Sequence, residues 1–181
     1  MLETGIVRRV DELGRVVIPK EIRKTLRIKE GEPLEIYTEK EQLVLKKYSP
    51  IESILGYAEC VCDSLREITE KTVMICDTDK IIFVSGKNKE MQGKEVSFDT
   101  EKIMSERKSV MRARIEGSEI PSAYKGEETD CVQSRIIVPI VSGGDVFGGV
   151  ILSDKNKGEK VNTQDVKLVQ LSALMLAKRF E

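Results

Sequence analysis

At Tyr48-Ser49-Pro50 the spacing of the apolar residues changes, and with it the kind of structure the chain can form. Before this point apolar residues come in short runs rich in Val, Ile and Leu, cut by glycine and proline, which is the pattern of strands and turns. After it Ile51, Leu55, Ala58, Cys62 and Leu65 recur at steps of four and three, with Ile54, Val61 and Ile68 as an adjoining stripe. That is the grammar of an amphipathic helix with a wide apolar face. A chain of 181 residues that changes period once is expected to hold two domains.

The first fifty residues read as ββαββ. Thr4-Gly5-Ile6-Val7 leads to Val10, Asp11-Glu12-Leu13-Gly14 has turn chemistry, and Arg15-Val16-Val17-Ile18 is a second strand stopped by Pro19. Proline can open a helix, and Lys20 to Arg27 places Ile22 and Leu26 on one helical face. Pro33 to Tyr37 and Leu43 to Leu45 form two more strands around the polar turn Glu39 to Gln42. A unit this small buries too little surface to be comfortably stable alone. Its apolar content therefore predicts an obligate dimer with one shared core.

Residues 71–181 read as one α/β domain. Thr72–Asp77 and Ile81–Gly86 form a hairpin, Asp99–Val110 a helix with Ile103 and Met104 inward, and Ser134–Ile140 and Val146–Leu152 a second hairpin around Ser142-Gly143-Gly144-Asp145. Asn162 or Thr163 caps the last helix, which carries one stripe of Val166, Val169, Ala173, Leu176 and Phe180 and another of Leu168, Leu171 and Met175. A helix apolar on two sides needs two partners, here its own sheet and another chain. For the Ile51–Ile68 helix, self-association and packing within the chain both stay open.

Charge separates the halves. Lys plus Arg count 30 and Asp plus Glu 31, but residues 8–29 hold eight cations against three anions. Residues 51–181 hold 19 cations and 22 anions. Doubling the basic segment in a dimer gives the electrostatic footprint of a duplex nucleic-acid binder. Five of the eight cations are Arg, which suits bidentate contacts to phosphate or guanine. With no Asn and a single Gln among residues 1–50, adenine reading by amides is largely absent, and DNA shape would carry the rest of any specificity.

Composition removes several function classes. There is no His, so Ser–His–Asp and Cys–His catalysis and His-ligated metals are out. Aromatics are 4% with no Trp, which argues against single-strand binding on stacked aromatic platforms. No apolar run approaches the roughly 20 residues of a membrane helix, and the N-terminus lacks the features of a signal peptide, so a cytoplasmic protein without membrane partners is expected.

Thr4-Gly5-Ile6-Val7-Arg8-Arg9-Val10-Asp11-Glu12-Leu13-Gly14-Arg15-Val16-Val17-Ile18-Pro19, followed by Glu21-Ile22-Arg23-Lys24-Thr25-Leu26 and Leu45-Lys46-Lys47-Tyr48, resembles the AbrB-type swapped-hairpin DNA-binding domain. The likeness runs without an internal gap through about the first 50 residues. It implies an α+β chain in which a small intertwined β-rich domain (1–50, dimeric) is followed by a linker or helix start (51–55). Residues 56–181 are then a GAF-like domain, an antiparallel sheet flanked by helices, for regulation or assembly. It further implies double-stranded DNA as partner and a role as transcription regulator, activator or repressor, in the developing spore. The implied assembly is a homotetramer joined through the C-terminal halves. No carboxylate pair or Ser/Lys dyad stands out in the sequence, so no enzymatic activity and no cofactor are expected. The family's DNA-contacting positions fall on Arg8, Arg15, Arg23 and Lys24. Lys24 lacks the planar fork of an arginine. Arg9 is added from the charge pattern.

The second domain offers weaker signals. Gly86-Lys87-Asn88-Lys89 and Gly93-Lys94 miss the spacing of a phosphate loop, and Lys94 is followed by Glu95 instead of Ser or Thr. Lys87 to Arg114 holds eight cations and five anions, enough to line an anionic-ligand pocket or simply a solvated face. Gly148-Gly149 within a strand implies a close backbone approach or a helix packed tightly over it. Cys76 and Cys131 are the pair a thiol-dependent methionine sulfoxide reductase would need, although Asp77 and Asp130 beside them would raise their pKa values. The other competing class is an antitoxin, since the same hairpin domain serves in protein-neutralising modules.

Overall fold

A computed structural model describes residues 5–28, 30–86, 89–114, 118–155 and 161–181. The chain divides into two compact units after Tyr48.

In the first unit Pro19 opens α1 (Lys20–Thr25), whose end is closed by the Leu26 N–H donating to Ile22 O. β1 (Leu34–Glu39) and β2 (Gln42–Lys47) form an antiparallel hairpin in register Leu34↔Lys47 to Glu39↔Gln42. Lys40 in the two-residue turn takes a left-handed conformation, φ 52°. Lys47 Nζ ties the hairpin's end to Arg27 O at 2.8 Å and to Glu32 at 3.4 Å.

One expectation fails here. The turn at Asp11–Gly14 forms, but neither 6–10 nor 15–18 joins a ladder within the chain. Among the described residues 5–48 none is buried. Val7 is 87% exposed, Val17 74% and Leu13 70%, and Val10, Val16, Leu26, Ile36 and Leu43 all stand more than half exposed.

The second unit is built on a five-stranded antiparallel sheet of order β4-β3-β7-β6-β5, made from β3 (Thr72–Cys76), β4 (Ile81–Ser85), β5 (Val110–Ala113), β6 (Ser134–Ser142) and β7 (Asp145–Asp154). One face carries Val73, Ile75, Ile136, Val138, Val150 and Leu152 against α3 (Leu55–Thr69) and α5 (Thr163–Ala177). The alternate residues Met74, Cys76, Ile137 and Ile151 point to the other face, where α4 (Phe98–Glu106) and the 118–127 segment cover them through Met104, Ala123 and Tyr124. The two-residue strand period sends alternate side chains to these two faces, and both carry a buried apolar cluster.

Two helices differ from their sequence outlines. The stripe from Ile51 to Ile68 is not one helix: α2 (Pro50–Ser53), capped by Ser49 Oγ, ends at Ile54 (φ −115°, ψ 25°) before α3 starts. The break lets Ile51 sit fully buried in the core while Glu52 pairs with Lys80 at 2.7 Å on the β3–β4 turn. The helix read as 99–110 stops at Glu106, where Arg107 takes a left-handed conformation, and Val110 begins the edge strand β5. On α5 the first stripe is inward, but Leu171, Leu174 and Met175 are exposed, as is Ile68 on α3. Asn162 and Asp165 close the α5 N-terminus with a reciprocal capping box.

The Gly148-Gly149 expectation resolves into two contacts. A Cβ on Gly148 would collide with the Cys76 carbonyl of the neighbouring strand, and one on Gly149 would meet Met104 Sδ of α4 at 3.4 Å.

Candidate nucleic-acid interface

The basic residues of the first unit occupy three local frames. Arg8 and Arg9 lie exposed on the segment entering the Asp11–Gly14 turn, Arg15 lies at its exit, and Arg23 and Lys24 form the last turn of α1. Their spacing comes from chain geometry: Gly14 (φ 75°) permits the reversal, and Pro19 fixes where α1 begins.

Arg15 is held most firmly. Asp11 Oδ2 accepts from Arg15 Nε at 2.7 Å, while Asp11 Oδ1 accepts from the backbone N–H groups of Arg15 at 2.8 Å and Leu13 at 3.0 Å. Gly14 N–H donates to Asp11 O, and Asp11 N–H to Arg15 O. These bonds, led by the Arg15 backbone N–H and side chain, hold the Asp11 carboxyl below its ordinary pKa. The Arg15 side chain stays 71% exposed. Asp11 is thus a positioning residue that charge counting scored only as an anion. The signal for it was the Asp-x-x-Gly turn itself.

The candidates in the second unit come apart. Cys76 is fully buried, its thiol donating towards Met104 Sδ and Gly149 O, and burial followed by the Asp77 charge pushes its pKa up to about 12. Cys131 is exposed on a surface turn, donating to Glu128 O. A protonated, buried thiol is no nucleophile, so the reductase reading loses its chemistry. Lys87 and Asn88 lie outside the described residues. The cations nearby are committed locally: Lys94 over the Tyr124 ring at 4.7 Å, Lys125 to Glu95, and Arg114 to the carbonyls of Thr129 and Val132.

A charged pair escaped the sequence. Arg135 on β6 is 0% and Glu127 3% exposed, joined by Nη1–Oε2 at 2.7 Å and Nη2–Oε1 at 2.6 Å. The visible signal was an arginine leading the apolar run Ile136-Ile137-Val138.

Residues 54–181 match the family model described as stage V sporulation protein T C-terminal, transcription factor. Over its full length the chain is 40% identical to stage V sporulation protein T of Bacillus subtilis, covering 99% of that protein. The chain belongs to the stage V sporulation protein T family. It is a transcriptional regulator of that family, and neither the reductase nor the antitoxin class is favoured. Its first part is AbrB-like: the chain is 50% identical over 74 residues to the transition state regulatory protein AbrB of the same organism, 41% of this chain and 77% of AbrB. Residues 7–53 also match the family described as antidote-toxin recognition MazE, bacterial antitoxin. The second unit has the GAF fold. It resembles the GAF domain of an Acinetobacter phosphoenolpyruvate-protein phosphotransferase at TM-score 0.57 and 14% identity, over 74% of this chain and 82% of that one. Among the described residues no helix is long and apolar enough to cross a membrane.

Proposed function

We propose that two copies of this family member interleave residues 1–50 into one dimeric head that grips duplex DNA. In this reading the unladdered segments 6–10 and 15–18 pair with the other copy's chain, and the exposed valines and leucines become a shared core. The observation that carries it is the first unit's lack of any buried described residue beside so much exposed aliphatic surface. Soluble monomers do not leave surface of that kind uncovered.

Pairing doubles the basic face. Arg8, Arg15, Arg23 and Lys24 of each copy contact phosphates, Arg9 lies at the margin, and Arg15 presents its guanidinium from a frame set by Asp11. The exposed Leu171, Leu174 and Met175 face of α5 joins two such dimers into a tetramer. The protein is cytoplasmic and nucleoid-associated and acts on sporulation genes. The GAF-like unit assembles the heads and senses a small molecule whose binding shifts their arrangement.

Eight phosphate-contacting cations per dimer give a slope of about −7 for log K against log salt. The test is a salt titration of DNA binding with parent and Arg15→Ala protein. The Arg15→Ala protein should bind much more weakly with its assembly intact. A flat salt dependence, or equal binding by the variant, contradicts the reading.

A further inference from the structure

Arg135 and Glu127 form a fully buried ion pair in the GAF-like unit. Arg135 and Ser153 are register partners on β6 and β7, and their side chains share the sheet face with Ile137 and Ile151. Arg135 Nε donates to Ser153 Oγ at 2.8 Å, and Nη1 also donates to Pro121 O at 2.6 Å. These bonds fix the guanidinium plane independently of Glu127. The fork that remains points at the Glu127 carboxylate, which also accepts from the Ala123 N–H at 2.6 Å.

Glu127 is held differently. Its backbone lies on a surface turn between Gly126 (φ 74°) and Glu128, with Lys125, Gly126 and Glu128 all exposed, and its N–H donates to Tyr124 O at 3.2 Å. Residues 122–125 are anchored by other bonds: Ser122 O accepts from Thr100 Oγ1, Ser122 N–H donates to Asp99, and Lys125 N–H donates to Glu95 O. Withdrawing Glu127 by rotation about Gly126 would break its N–H bond to Tyr124 O and its contacts to Arg135 and Ala123, but none of the bonds that anchor 122–125 or hold Arg135 to Ser153 and Pro121. What then remains is a buried planar fork and a backbone N–H aimed at one point, beside an apolar floor of Met, Ile and Tyr side chains. That is the make-up of a small-molecule site. A buried ion pair also adds little net stability over apolar packing, so its presence calls for another role.

We propose that Arg135 and the Ala123 N–H recognise the carboxylate of a small acid with an apolar body, and that Glu127 is a stopper occupying that point when the acid is absent. This rests on the sensing role given to the GAF-like unit, and it deepens that role by naming the ligand class.

The test uses full-length protein with methyl-labelled methionine. Met74, Met91 and Met104 lie in the core on this face and report its occupation. Butyrate, hexanoate and octanoate are titrated against the matching amides. At least one acid should shift these methyl signals where its amide does not. E127Q removes the competing charge and should lower the half-saturating concentration about tenfold or more. E127D, whose shorter carboxylate retracts from Arg135, gives the same comparison should E127Q lose its fold. The double variant R135M/E127L, which removes both charges together, should stay folded and show no preference for acid over amide. Equal response to acid and amide in both parent and Glu127 variant overturns the proposal, as does a preference that survives in R135M/E127L. Failure here leaves the salt-dependence test of DNA binding standing, so the two readings fall separately.

Discussion

Arg15 and Arg135 show how context decides what one side chain does. Arg15 is exposed and lends a carboxylate only its Nε edge, so its charge remains available to a phosphate. Arg135 is sealed and spends its fork on Glu127. The expected losses differ accordingly. Arg15→Ala should weaken DNA binding about equally across sequences, reduce the salt slope by about one per copy and leave thermal stability almost unchanged, read by salt titration beside calorimetry. R135M alone strands the Glu127 carboxylate and should cost about 3–5 kcal/mol of stability, whereas R135M/E127L should lie near the parent, both read by denaturant unfolding. Asp11 adds a pH dependence. Its folded pKa is depressed, so its contribution to the turn is complete above the ordinary value of 3.8 and is lost as pH falls through the lower folded value. The Arg15 Nε–H resonance followed from neutral to acid should keep its bonded shift until below that value. Loss of the bonded shift well above pH 3.8 contradicts the assignment.

At the scale of elements, local chemistry was legible and tertiary trade-offs were not. Both hairpins of the GAF-like unit could be read because Thr78-Asp79-Lys80 and Ser142-Gly143-Gly144 carry their turns in the sequence. The α5 start was legible from Asn162 for the same reason. Asn162→Ala should cost about 1 kcal/mol, measurable by thermal unfolding. β5 stayed hidden because Val110–Ala113 is a short edge strand with an arginine and a half-exposed methionine, so no alternation marks it. The break at Ile54 was hidden because its cause is distant: Ile51 reaches the core and Glu52 finds Lys80 on another element. Arg135 was passed over because a charged residue at the head of a strand ordinarily points to water. The apolar runs at 6–10 and 15–18 predict strands, yet among the described residues these segments stay unladdered within one chain, with Val7, Val10 and Val17 exposed.

A single copy leaves apolar surface exposed in both units. The first unit exposes the aliphatics of both its would-be strands and its hairpin, and the second exposes Leu171, Leu174 and Met175 along α5. The two faces should be separable. In the proposed assembly, replacing Leu171 and Leu174 together by Glu should reduce the tetramer to a dimer that still binds DNA, read by light scattering beside a DNA titration. In the proposed dimer, replacing Val17 by Asp should remove DNA binding through loss of the shared core. The most direct test of that core is an isotope-filtered methyl NOE experiment on full-length protein, mixing labelled and unlabelled copies after joint refolding. Shared hairpins predict strong contacts between copies from the Val7, Val10 and Val17 methyls. A spectrum in which those methyls see only their own chain would contradict the account.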